Sequence, residues 1–228
     1  MDNTIISLIW LGISIGIVHA FDADHVMAMT AFVSDKLKWR KVAMYCFKWG
    51  IGHGLVLLIL GSLLVVFQIQ LADVWSQTAE TLVGVLLIVL GISLLRRIRK
   101  QKLKLIRHSH GETTHTHLVL ADEINRTGNK LPRLKHEHQP LFVGVLHGLA
   151  GSAPVLAILP AMMSQTKISG IFYLFAFSLG CLIGMSVFGV LVGHMQNKVL
   201  EISTKLFDIF RFLIAFTSIS LGGYWLVN

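Results

Sequence analysis

Residues 16–29 read GIVHAFDADHVMAM, and within that apolar run stand His19, Asp22, Asp24 and His25. A charged side chain at mid-bilayer costs about 2.5–3.5 kcal/mol on insertion scales, so residues of this kind face a partner or a cavity. Imidazole and carboxylate held together form a ligand set for a divalent transition metal. Imidazole suits nickel, copper, iron and zinc, and carboxylate compensates charge. On a straight helix at about 100° per residue, His19, Asp22 and His25 fall at roughly 0°, −60° and −120° and share one face. Asp24 lies at about +140° from His19 and joins them only if the helix unwinds or kinks. Irregular backbone is tolerated at this depth where it lines a cavity. No Gly or Pro within 19–25 eases a break, so the choice between Asp22 and Asp24 as ligand stays open. The bland alternative is a polar cluster satisfied by its neighbours, such as Asp24 with Lys48.

The elements that must position these groups are membrane helices. Of the 228 residues, 54% are hydrophobic and only 14% charged, too few for the polar surface of a soluble domain. Apolar runs stand out at about 5–33, 42–67, 80–95, 141–163, 169–195 and 207–227. Backbone polar groups in hydrocarbon must pair within the segment, which makes these runs helices. The expected fold is an all-α integral membrane protein of six transmembrane helices in contact with lipid. No cleavable signal peptide is expected, because MDNTIISLIW has no positive n-region. Cys46 and Cys181 fall in separate spans without a CxxC pair, which argues against thiol redox chemistry.

Basic residues orient the chain. Lys36, Lys38, Arg40 and Lys41 follow the first span, eleven Lys and Arg lie in 96–139, and Lys198, Lys205 and Arg211 lie between the fifth and sixth. Together they place one face of the membrane in the cytoplasm and both termini outside. The net charge of +8 is therefore a topology signal, and no nucleic-acid partner is expected.

The sequence also repeats. GIVHAFDADH at 16–25 resembles GVLHGLAGSA at 144–153, and WGIGHG at 49–54 resembles FSLGCL at 177–182. His19 to His53 and His147 to Cys181 are both 34 residues, at a constant offset of 128. Two three-helix halves are expected, 1–95 and 140–228, joined by a basic loop over 96–139. An odd number of spans per half inserts the second half inverted, an arrangement that places a binding site near the midplane between halves.

His19-Ala-Phe-Asp22-Ala-Asp24-His25 resembles the signature of the nickel/cobalt transporter (NiCoT) family: a His, four residues, then Asp-His in a membrane helix. The resemblance implies metal transport that needs His19, Asp24 and His25. It also implies a role for GIGHG, where His53 sits between Gly52 and Gly54, near mid-bilayer. Better-known members carry more spans, usually eight, and a Phe-Asp-Thr-Ala-Thr-Glu stretch in the second half. This chain has HGLAGSAP at 147–154 instead, which resembles the shorter branch of UreH-type urease accessory, nickel-permease-like membrane proteins. There His147 and Ser152 become candidates for the pathway opposite the first span. Pro154 frees a carbonyl four residues upstream, and the small residues around it allow close packing.

The loop carries HSHGETTHTH and HEH, giving His108, His110, His115, His117, His136 and His138. Such tracts signal metal binding by composition. With few apolar residues to bury, the loop is expected to be disordered without metal, its imidazoles buffering metal weakly.

The expected function is transport of a divalent transition metal, nickel or cobalt, across the plasma (inner) membrane by a non-enzyme. Ni2+ or Co2+ is the cargo, no permanent cofactor is implied, and a cytosolic metallochaperone is a candidate partner. One alternative is an accessory or sensor protein that delivers metal without translocation. Another is a membrane acyltransferase in which Asp24 orients His19 as a general base, the His-x4-Asp pair. That enzyme class works near the membrane surface and needs further motifs that are absent here.

Overall fold

A chain this apolar buries its backbone polar groups in helices, and helices dominate the computed structural model. It describes residues 3–34, 38–69, 73–100, 103–110, 113–120, 139–149, 159–164 and 166–227. The helices are α1 (Asn3–His19), α2 (Ala23–Val33), α3 (Trp39–Phe67), α4 (Asp73–Lys100), α5 (Gln139–Leu149), α6 (Lys167–Ile202) and α7 (Thr204–Val227), with residues 159–162 also helical. Between α4 and α5 lie two strands, β1 (Leu103–His110) and β2 (Thr113–Leu120).

Among the described residues, four helical segments are long and apolar enough to cross a membrane: α3, residues 80–99 of α4, α6 and α7. The α1–α2 pair adds a fifth candidate, bent by 56° at its break. The chain is an integral membrane protein. α4 reaches well beyond the expected 80–95, starting at Asp73. The fourth expected span, 141–163, is helical as far as Leu149 and again over 159–162. Residues 150–158, including Ser152 and Pro154, lie outside the described residues.

One expectation is overturned in the loop. β1 and β2 pair antiparallel, with Ile106 opposite His117, His108 opposite His115 and His110 opposite Thr113. The disordered loop is therefore a hairpin over these residues, and the all-α description holds only for the membrane body. Alternation along LKLIRHSH and TTHTHLVL carries the strand signal. His136 and His138 lie outside the described residues.

Helix α3 packs along α6 and α5, α1 lies on α6, and α4 lies on α7. The two parts of the broken span thus go separate ways: α1 joins α6, whereas α2 lies between α4 and α7. Arg97 Nη2 donates to the Ala31 carbonyl at 3.0 Å, satisfying a carbonyl that the end of α2 leaves without a helical partner. At the start of α6, Thr166 Oγ1 accepts from the Ser169 amide at 3.1 Å and Ser169 Oγ accepts from the Thr166 amide at 3.2 Å, a reciprocal cap. Trp49, Met185, Leu87 and Ala215 fill the core, and Trp10, Ile59, Leu191 and Phe216 are exposed on the outer surface, as suits a lipid-facing wall.

Glycines set the closest approaches. A Cβ on Gly16 would strike the Phe177 carbonyl oxygen, and one on Gly144 the Trp49 carbonyl oxygen. A Cβ on Gly52 would strike the Leu141 carbonyl oxygen, and one on Gly180 that of Ile13. In both couples the residues correspond at the offset of 128 that aligned the motifs. Contacts of this kind let backbones meet where any side chain would separate them.

Candidate metal site

The site grows from the break between α1 and α2. α1 closes with tight backbone bonds, Phe21 N to Val18 O at 2.9 Å and Asp22 N to His19 O at 3.0 Å. Asp22 then takes the N-cap position of α2, at φ −59° and ψ 148°. Aspartate is a preferred N-cap, and a second acid in the first turn favours the positive end of the helix dipole. The break thus needs neither glycine nor proline.

Asp22 makes no side-chain cap bond. Its carboxylate instead accepts from His19 Nδ1 at 2.7 Å, with the Asp22 side chain 36% exposed. Asp24 turns inward and is 4% exposed. Its Oδ1 accepts from the His25 amide at 2.9 Å and from His25 Nδ1 at 3.1 Å. Asp24 Oδ2 lies 3.4 Å from His147 Nε2, on α5. A carboxylate can only accept, so His19 and His25 carry their protons on Nδ1 and direct Nε2 lone pairs elsewhere. Carboxylate-oriented imidazoles of this type are how metal-ligating histidines are held.

His53 stands fourteen residues from either end of α3, about 21 Å from each at helical rise, which puts it at the middle of the span. Its flanking glycines let α5 and α6 close in on either side: Gly52 abuts Leu141 and Gly54 abuts Ser178. Ring centroids separate His25 from His19 by 4.5 Å, from His53 by 4.8 Å and from His147 by 4.4 Å. All four histidines are buried. His19 Nε2, His25 Nε2 and both ring nitrogens of His53 are buried without a hydrogen-bond partner among the described residues. Buried polar atoms are costly unless matched, and nitrogen lone pairs gathered this way suit a cation.

Two groups are spaced to hold one. His19, His25 and His53 offer ligand atoms within 4.8 Å of one another, as do Asp24, His25 and His147. Tetrahedral ligands at metal–nitrogen distances of 2.0–2.1 Å sit about 3.4 Å apart, so binding would draw either group inward by about an ångström.

The structure therefore joins His19, Asp24, His25, His53 and His147 in one cluster, with Asp22 at its edge. The break brings Asp24 into the cluster without displacing His19, where a straight helix would turn it away. The His19–Asp24 dyad that an acyltransferase requires is not formed, because His19 is bonded to Asp22 and Asp24 to His25. Ser152 lies outside the described residues. Cys46 and Cys181 are both buried and free.

Residues 10–222 match the family described as cytochrome C biogenesis protein transmembrane region. This chain belongs to that family. The urease accessory protein UreH of Bacillus sp. (strain TB-90) is 34% identical over 195 residues, covering 85% of this chain and 79% of the relative. The resemblance to UreH-type proteins read from the motif is thereby borne out. Two Arabidopsis thaliana proteins are also similar. Chloroplast protein FOR GROWTH AND FERTILITY 2 is 24% identical over 213 residues, 90% of this chain and 53% of its own. Chloroplast protein FOR GROWTH AND FERTILITY 1 is 23% identical over 221 residues, 93% and 57%. The chain thus spans little more than half of these two plant relatives. No solved structure matches this family member.

Proposed function

We propose that this protein carries a divalent transition-metal ion, nickel or cobalt, across the membrane through the cluster of His19, Asp24, His25, His53 and His147. The observation that carries the reading is the gathering of four buried imidazoles and one buried carboxylate around mid-span His53, with unpartnered nitrogens among them. A chain of this composition has no structural need for such a group in hydrocarbon. The UreH relative, named for urease accessory function, favours nickel.

The glycine contacts that correspond at offset 128 support six spans in two inverted halves, with the ion at their seam. His19 stacks on Phe177 at 5.6 Å and His147 meets Trp49 at 5.8 Å, a correspondence at the same offset. Rocking of one half against the other would open the site to either face in turn. Both termini then lie outside the plasma membrane and the hairpin in the cytoplasm, following the basic residues. Imidazoles bind metal only when neutral, so protons compete with the ion and uptake weakens as pH falls.

The test is radiometal flux into vesicles holding the purified full chain. Nickel or cobalt should enter wild-type vesicles well above empty ones, and His19→Ala should bring flux to the empty-vesicle level. Equal flux in wild type and empty vesicles removes the reading.

A second reading has its own support in the hairpin. Its register pairs His108 with His115 and sets His110 opposite Thr113 and His117 opposite Ile106. An accessory protein that holds metal there for a cytosolic metallochaperone would not need translocation. Deleting 108–138 separates the two: it should change flux by less than about threefold if the loop only buffers metal for the transporter. Loss of metal delivery with the intramembrane histidines intact would favour the accessory protein.

A further inference from the structure

This inference rests on the transport reading above and concerns how the ion moves within the cluster. Among the described residues, His25 alone belongs to both ligand groups. The groups differ in chemistry. His19, His25 and His53 are three imidazoles, all from the first half of the chain. Asp24, His25 and His147 supply a carboxylate and two imidazoles, one of them from the second half. No described group joins His53 with His147, whose ring centroids are 6.1 Å apart.

The His25 ring stands edge-on between the groups. Its interplanar angles are 74° to His19, 85° to His53 and 76° to His147. Its Nδ1 lies 3.1 Å from Asp24 Oδ1, whereas its Nε2 is buried with no hydrogen-bond partner among the described residues. A neutral imidazole has one N–H and one lone pair, so His25 can serve only one group at a time.

The geometry points to two alternative seats for a single ion, with His25 as the ligand that both share. In one seat the ion is held by His19, His25 and His53. In the other it is held by Asp24, His25 and His147. Displacing the second half relative to the first moves His147 against the rest and so selects which seat is complete. A cation handed across His25 keeps one ligand throughout and is never stripped bare in hydrocarbon. Several moderate seats also suit transport better than one deep one, because the ion must leave.

Titrating the purified full chain in detergent with Co2+, followed by its d–d absorption, tests the arrangement. Wild type should bind one Co2+. His53→Gln and His147→Gln should each still bind one, about 10–100-fold more weakly, with spectra that differ because one retained seat has a carboxylate and the other does not. His25→Gln should lose binding more than 100-fold, and all three variants should lose vesicle flux. His53→Asn or His147→Asn replaces any Gln variant that does not elute as folded protein. Two Co2+ bound by wild type, the same spectrum from both single variants, or complete loss of binding in both would overturn the shared-ligand arrangement. Those outcomes leave transport itself standing. Wild-type vesicles that pass no Co2+ overturn both.

Discussion

Asp24→Asn should cut metal uptake by the reconstituted chain at least about 100-fold, and Asp22→Asn only about 10-fold. The two residues stand two positions apart with the same side chain, and their surroundings separate them. Asp24 is 4% exposed, fixed by the His25 amide and ring, and 3.4 Å from His147. It is the negative charge within the imidazole cluster, so its loss removes charge compensation for a divalent ion and leaves one acceptor oxygen where two face His25 and His147. Asp22 is more than a third exposed on its side chain and bonds His19 from the rim. Asparagine there can still accept from His19 Nδ1. Radiometal uptake and equilibrium Co2+ titration should rank the variants in the same order. Equal losses, or a larger loss in Asp22→Asn, would contradict the division of roles.

Gly52→Leu should be among the most damaging substitutions outside the ionisable groups. A Cβ alone at Gly52 would strike the Leu141 carbonyl, so a leucine forces α3 and α5 apart. Overpacking in a well-packed core costs about 1–3 kcal/mol and occasionally more, and contact with rigid backbone places this site at the upper end. His53 is the next residue, and His147 lies on the helix being displaced. The thermal transition in detergent should fall by several degrees, and Co2+ affinity should fall with it. Gly223→Leu is the matched control, since a Cβ there meets nothing within 4 Å. If both variants melt together with wild type, the helix contact at Gly52 does not limit the fold.

The four clustered histidines were legible from sequence because an imidazole in an apolar run has few explanations. Their convergence rests on two things a sequence also carries, mid-span position for His53 and a matching motif for His147. The role of Asp24 was not legible from periodicity, which assumes a continuous helix. The signal was local instead: Asp22 is a good N-cap and Asp24 an acid in a first turn. Read as a helix start, FDAD places the break where the structure has it. The hairpin was missed for a related reason. Low apolar content argued for disorder, but the alternation in residues 103–110 and the Thr-rich run in 113–120 favour strands. The ends of α4 were missed because Asp73, Gln77 and Glu80 dilute its hydropathy while the helix continues beneath them.

The glycine contacts at Gly16, Gly52, Gly144 and Gly180 let the helices around the cluster close to backbone distance in this conformation. Walls this close would leave room for a bare ion among its ligands but little for one still wearing its hydration sphere. Magnesium gives up water reluctantly and prefers six oxygen neighbours. An abundant competitor would thus be turned away by the tightness of the enclosure before the identity of the donor atoms is tested.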